Sequence, residues 1–262
     1  SNFHISGLAK SVAASMNPAS PAGNSDIVAR NLANSGAKLA STINAALHTG
    51  DGTGKNIAGF SVALGSTSNT YAGIDRSSAA YFRPIISDPG SLTIPTFASI
   101  RKHQGLIFDT CGEMPDIAIC PTAVFDTIGG LFDASKQFMV DTVNTARGKI
   151  ILDAGYEGIH FNGTVFLKDK DAVANKIVFL NTRHVEIEVL PAAVPGLAEA
   201  MESLRQRVVI PDDGFGMVPL NMAYEPLAKL GDSERAQVKT YLQLKIDRPN
   251  SCGMMLNVGT AS

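Results

Sequence analysis

The residues that could do chemistry in this chain are few and poorly spaced for it. Gly50-Asp51-Gly52-Thr53-Gly54-Lys55 invites a phosphate-loop reading, in which backbone N–H groups cradle phosphate oxygens and a lysine reaches the outer phosphate. That pattern needs four residues between its glycines and a hydroxyl after the lysine. Here three residues separate Gly50 from Gly54, and Asn56 follows Lys55. The run also follows an expected helix, where a phosphate loop follows a strand. A flexible hinge is the better reading, and a nucleotide-binding enzyme is the alternative from another class.

The histidines His4, His48, His103, His160 and His184 form no ligand pair at helical spacing. His184-x-Glu186 would share one strand face, but the cysteine pair of a zinc deaminase is missing. Asp169-x-Asp171 lacks the glycine and terminal Glu of a calcium loop, and Asp212-Asp213 reads as a solvated turn. No Gly-x-Ser-x-Gly occurs, and Asn162-Gly163-Thr164 reads as a turn rather than a glycan acceptor. Cys111, Cys120 and Cys252 are an odd number at wide spacing, so reduced, buried thiols are expected. No catalytic residue, metal site or cofactor is expected; the chain does not read as an enzyme.

Composition points the same way. Hydrophobic residues make up 45% of the 262 residues but charged ones only 18%, below the usual quarter or so. Sparse charge suits a surface that other subunits cover. No Glu precedes Glu113, and the net charge of −2 carries no basic signature for sequence-specific nucleic-acid binding. No run is long and apolar enough for a membrane span, and SNFHISGLAK lacks a secretory pattern.

Several elements stand out. Residues 1–24, with Pro18, Pro21 and Gly23, read as an arm, and Ser25 caps an expected helix over 25–49 that stops at Gly50. Residues 50–92 alternate short β-prone runs with polar turns and predict an extended, hairpin-like excursion. Thr93 and Pro95 open a second helix of about twenty residues, stopped by Gly112. Pro115-Asp116-Ile117-Ala118-Ile119-Cys120 reads as a buried strand, with Pro121-Thr122 starting a short helix. Asn162-Gly163 between alternating apolar residues predicts a tight hairpin, because its turn needs φ > 0 at both positions. Residues 176–190 continue as strand, a helix is expected near 195–207, and the tail reads as two strands around Pro249-Asn250-Ser251. The order predicts an α+β class.

The segment TYAGIDRSSAAYFRP (70–84) resembles the capsid proteins of tailed bacteriophages, which often carry Gly-Gly-Ile-Asp-Arg followed by an aromatic and Arg. MPDIAICPTAVFDTI (114–128) and GYEGIHFNGTVFLKDKDAVANKIVFLNTRHVEIEV (155–189) extend the likeness. Ala72 stands where Gly is common, and Tyr81-Phe82 where Trp is common.

The resemblance implies the Hong Kong 97-type capsid fold. It assigns 1–24 to an N-terminal arm, 25–49 to an N-terminal helix and 50–92 to the extended loop. A peripheral domain with a spine helix takes 93–128 and 236–262, and an axial domain mostly 129–235. The implied function is a major capsid protein that self-assembles into pentamers and hexamers, forming an icosahedral head around double-stranded DNA without reading its sequence. Portal and scaffold or decoration proteins are the implied partners. The virion is the implied location, with assembly in the host cytoplasm, no membrane, and proteolytic maturation as an open expectation. Asp75, Arg76 and Arg83 are the candidate intersubunit contacts. An encapsulin-like cargo shell of the same fold is the nearest alternative.

Overall fold

Alternation along short apolar strands sorts this chain into layers. The computed structural model describes residues 2–6, 23–135, 143–145, 148–150, 158–190, 223–230 and 233–260. The helix expected near 195–207 and the Asp212-Asp213 turn lie outside the described residues. The chain divides into two compact units: residues 1–44, 189–209 and 217–242, and residues 45–188, 210–216 and 243–262.

In the first unit, β1 (Asn2–Ser6) lies antiparallel to β13 (Ser233–Lys239), which pairs on its other side with β12 (Ala223–Leu230). Pro226 falls on β12, an outer strand of this sheet, where a missing N–H is tolerated. Helix α1 (Gly23–Thr49) begins two residues before the expected cap, Ser25, and ends at Gly50.

The second unit is built on a mixed six-stranded sheet. Its strands are β4 (Ile85–Ser87), β5 (Ile117–Cys120), β8 (Gly158–Phe161), β9 (Thr164–Lys168), β10 (Ile177–Leu180) and β15 (Gly253–Met255). Their order is β4-β15-β10-β5-β9-β8. β10 is central, and all four of its residues are buried. A strand buried on both faces must be apolar at every position. Ile177 and Phe179 join a cluster with Ala118, Cys120, Phe166 and Met255, while Val178 and Leu180 join the opposite cluster with Met254. Each buried Ile, Leu or Phe contributes about 1.5–3 kcal/mol.

The first face is covered by α3 (Phe97–Cys111), through Ile100 and Ile107, and by α4 (Thr122–Ser135), through Val124, Phe125, Ile128 and Phe132. Thr96, rather than Thr93, caps α3. Its hydroxyl accepts from Ser99 N while the Ser99 hydroxyl accepts from Thr96 N, a reciprocal box that leaves Pro95 outside. Gly112 ends the helix as expected, in the left-handed conformation at φ 76°. The helix has 15 residues, shorter than its sequence pattern predicts.

The opposite face carries the main departure from expectation. Residues 50–92 do not run out as a bare hairpin. Phe60, Ala63 and Leu64 of α2 (Phe60–Leu64), with Tyr71 and Phe82, are buried against Val178, Leu180, Leu244, Ile246, Cys252 and Met254. Large apolar residues spaced through a polar segment gain more by covering a sheet face than by standing in water. Hairpin form is kept by the short ribbon of β2 (Thr70–Tyr71) and β3 (Ile74–Asp75) and by the antiparallel bridge between Asp51 and Ala58. The Asn162-Gly163 turn is as predicted, with φ of 50° and 84° between β8 and β9. β11 (Val185–Leu190) pairs with β14 (Tyr241–Ile246), and the Pro249–Ser251 turn leads to β15. β6 (Val143–Thr145) and β7 (Gly148–Ile150) form a separate ribbon.

Candidate intersubunit surface

The GIDR segment sits on the ribbon β2–β3 and the chain after it. Arg76 is wholly buried. Its Nη2 donates to Ala63 O at 2.6 Å, and its Nη1 donates to Ser66 O at 3.0 Å and Asn69 Oδ1 at 2.9 Å. The guanidinium lies 4.8 Å from the Tyr71 ring centre and 5.7 Å from that of Phe82, a cation held over aromatic faces. Burial lowers its pKa from the usual value. The Tyr71 hydroxyl accepts from Ile246 N at 3.1 Å, which ties the ribbon to β14.

Arg83 continues the arrangement. Its Nε donates to Arg76 O at 2.6 Å and its Nη2 to Ser77 O at 2.5 Å. Asp75 is exposed and accepts from Ser77 N at 2.9 Å and from the hydroxyls of Ser77 and Ser78. Those bonds, Ser77 first, hold its carboxyl below the ordinary range, with a smaller contribution from Arg83. Both arginines therefore fold their own loop, while Asp75 and the 73%-exposed Tyr81 face solvent. Sequence reasoning named all three as contacts to a neighbour and carried no sign that Arg76 is interior. A buried arginine interrupts no periodicity; the nearby aromatics Tyr71 and Phe82 were the available hint.

A second outward feature flanks α3. Leu92, Ile94, Leu106 and Phe108 are 64%, 51%, 41% and 49% exposed, an unusual density of large apolar side chains. Beside them a groove of about 380 Å³ runs between the start of α3 and β15, lined in part by Ile94, Lys102, Leu106 and Asn257. The 93–95 stretch, which the sequence assigned to a helix start, forms one wall of it.

At the C-terminal end of α3 a polar cluster locks the chain. Glu113 accepts from Asn181 Nδ2 at 2.7 Å and from Arg248 Nη1 at 3.1 Å, and His184 Nε2 lies 3.2 Å away. Burial pushes the Glu113 carboxyl up, but the bonds from Asn181 and His184 outweigh it and leave the pKa lowered. Arg248 Nη2 also donates to Cys111 O at 2.9 Å. Asp116 accepts from Thr182 N at 2.8 Å and from the Thr182 hydroxyl. His184 is thus drawn to Glu113, while Glu186 faces Lys245 at 3.9 Å, so the two do not act as a pair.

The remaining sequence candidates are placed apart from one another. Asp51 accepts from Thr53 and Asn56 within the Gly50–Lys55 loop, and these bonds lower its pKa to about 2. The loop follows the last turn of α1, not a strand. Asp169 meets His48 at 3.2 Å and accepts from Asp171 N at 2.8 Å. Among the described residues no group of three or more His, Cys, Asp or Glu is placed to hold a metal ion, and no helix is long and apolar enough to cross a membrane.

No known family profile and no curated protein sequence matches the chain. Solved structures do. The capsid asymmetric unit of cyanophage A-1(L) is similar at a TM-score of 0.69 and 18% identity, covering 98% of this chain and 75% of that one. The SrpI encapsulin complex of Synechococcus elongatus is similar at a TM-score of 0.54 and 11% identity, covering 100% of this chain and 74% of that one. Helices α3 and α4 cover one face of the mixed sheet and the 60–82 layer covers the other, and with the likeness to the cyanophage capsid structure this chain has the Hong Kong 97-type capsid fold.

Proposed function

We propose that the chain is the major capsid protein of a tailed bacteriophage, assembling into pentamers and hexamers that close as an icosahedral head around double-stranded DNA. The observation that carries this reading is the likeness to the cyanophage capsid subunit along almost the whole chain, which is stronger than the likeness to the encapsulin. The GIDR segment (73–76), with the aromatics and Arg83 that follow it, supports the viral reading. Head-to-tail contacts that close by rotation make rings, and a ring of weak contacts gains stability from every additional neighbour. In this reading the subunit works by shape rather than by catalysis.

The domain assignment belongs to the same proposal. Residues 93–128 and 236–262 form a peripheral domain around the spine helix α3, residues 129–235 lie mostly in an axial domain, and 50–92 carry contacts to a neighbour. Asp75 offers outward charge for such contacts, and Arg76 and Arg83 hold the loop that presents it. Portal, scaffold or decoration proteins and the virion location follow from the capsid reading.

The second reading, an encapsulin-like cargo shell, draws on the SrpI likeness. Sedimentation and electron microscopy of the purified chain test assembly, with hollow shells or five- and six-fold rings expected. Nuclease-protected DNA inside particles from the native source selects the phage head, whereas a protein cargo selects the encapsulin. A strictly monomeric chain under all conditions would overturn both.

A further inference from the structure

The hairpin β8–β9 is tied to the body of its unit by a line of polar contacts with only one possible direction. Pro115 O can only accept, and it takes the hydroxyl proton of Thr164 at 2.7 Å. The Thr164 oxygen, its single proton committed, accepts from Gln104 Nε2 at 2.8 Å. The other end of the Gln104 amide must then be its oxygen, and that oxygen accepts from Asn162 Nδ2 at 3.0 Å. Gln104 and Thr164 are wholly buried, so a wrong polarity has no water to correct it. Asn162 is the exposed end of this line, and Gly163 follows it in a left-handed turn.

We propose that Asn162 is a deamidation site whose conversion the fold registers through this line. The Gly163 backbone nitrogen, which no Cβ shields, attacks the Asn162 side-chain carbonyl carbon. A C–N bond forms and a proton leaves the amide nitrogen. The C–Nδ2 bond breaks to release ammonia, which carries away a proton. Water then opens the succinimide at either carbonyl, giving aspartate or isoaspartate. The attack requires the side chain to release Gln104, so it proceeds from hairpins that have opened locally. The product places a carboxylate against Gln104 Oε1, two acceptors facing each other. Turning the Gln104 amide over would only move the clash inward, to Thr164 and to Phe161 O, which lies 3.5 Å from Nε2.

The test has two arms. The folded chain is held in mildly alkaline buffer, and the peptide spanning 158–168 is weighed and probed with an isoaspartyl methyltransferase. Conversion at Asn162 is expected, slower than in the denatured chain; an intact amide after the denatured chain has fully converted would overturn the site. The second arm compares N162D with N162G. Both tolerate the turn, but only Asp adds an acceptor, and its melting temperature is expected to fall roughly 2–8 °C below that of N162G. In a Thr164→Val background, where no hydroxyl sets the direction, that gap is expected to shrink. Equal melting temperatures, or a gap unchanged by Thr164→Val, would overturn the directional line.

Discussion

Replacing Arg76 with Met removes the charge and its three hydrogen bonds but keeps most of the side-chain volume between Tyr71 and Phe82. Two backbone carbonyls, Ala63 O and Ser66 O, and the Asn69 side-chain oxygen lose this donor. A buried group stripped of its partner costs about 1–3 kcal/mol, and bonds to a charged donor sit at the upper end. The loss of the aromatic contact adds up to ~2 kcal/mol, offset in part by the easier burial of Met. The expected loss is roughly 3–5 kcal/mol, or on the order of 6–20 °C in melting temperature for a chain of this size. Urea denaturation of the unassembled chain reads it directly, as a lower midpoint at constant slope. Hydrogen exchange should show residues 63–83 losing protection first. Arg76→Lys should recover part of the loss, because one ammonium cannot reach three acceptors with the fork geometry of a guanidinium. Asp75→Ala, at an exposed position, should leave the unassembled chain nearly unchanged. A loss below ~1 kcal/mol for Arg76→Met would refute the buried-anchor reasoning. A comparable loss for Asp75→Ala would show that the ribbon, not the guanidinium, carries the effect.

His103 is buried with its Nδ1 at 2.8 Å from the Ser87 hydroxyl, and burial pushes its pKa down to about 4. The unfolded chain, with a pKa near ~6.5, binds the proton that the folded chain refuses, so stability is full above that value and falls as pH drops toward 4, by about 3 kcal/mol in all. Denaturation midpoints measured across that range should flatten in His103→Gln, and an equally steep profile in the variant would assign the effect elsewhere. At Gly253 an added Cβ would lie 2.7 Å from His103 Nε2 and 2.7 Å from Ile85 O, so Gly253→Ala should destabilise by roughly 2–3 kcal/mol, read by thermal melting. Burial raises the pKa of Cys120 to about 12 and that of Cys252 to about 11, while Cys111 is partly exposed. A thiol reagent should therefore label Cys111 in the native chain, and the other two only after denaturant is added.

The secondary structure was most legible where local chemistry dictates it. Asn162-Gly163 and Gly112 take left-handed backbone as expected, and the apolar run at 177–180 was legible as strand, though not as one buried on both faces. The layer formed by 60–82 was not legible, because its apolar residues are scattered among serines and glycines at no fixed period. What organises them is the far face of a sheet whose strands lie more than ninety residues away, at 178–180 and 244–254. The cap of α3 was misplaced by three residues for a related reason. Thr93 and Thr96 are equivalent on paper, and Ser99 decides between them only once its hydroxyl is seen to close the reciprocal box. Glu113 gave no signal at all, since its partners Asn181, His184 and Arg248 come from three separate segments.

On the proposed capsid reading, the way this chain uses its few charges matches what a shell subunit would require. Arg76 and Arg83 close the loop at 63–83, Arg248 and Glu113 lock the end of α3, and Asp116 fixes the turn after β10. Each spends its hydrogen bonds on backbone or on partners in the same unit, where it restrains a loop. In a closed assembly every loop error is repeated at every symmetry-related contact, so a rigid loop is worth more than one strong ion pair at the seam. Exposed ion pairs would also weaken with salt, whereas contacts made by pre-ordered apolar surfaces would not. On this argument the Arg76 anchor shapes assembly indirectly. Its loss should slow shell closure even under conditions where the chain remains folded, and raising the salt concentration should leave that closure largely intact in the parent chain.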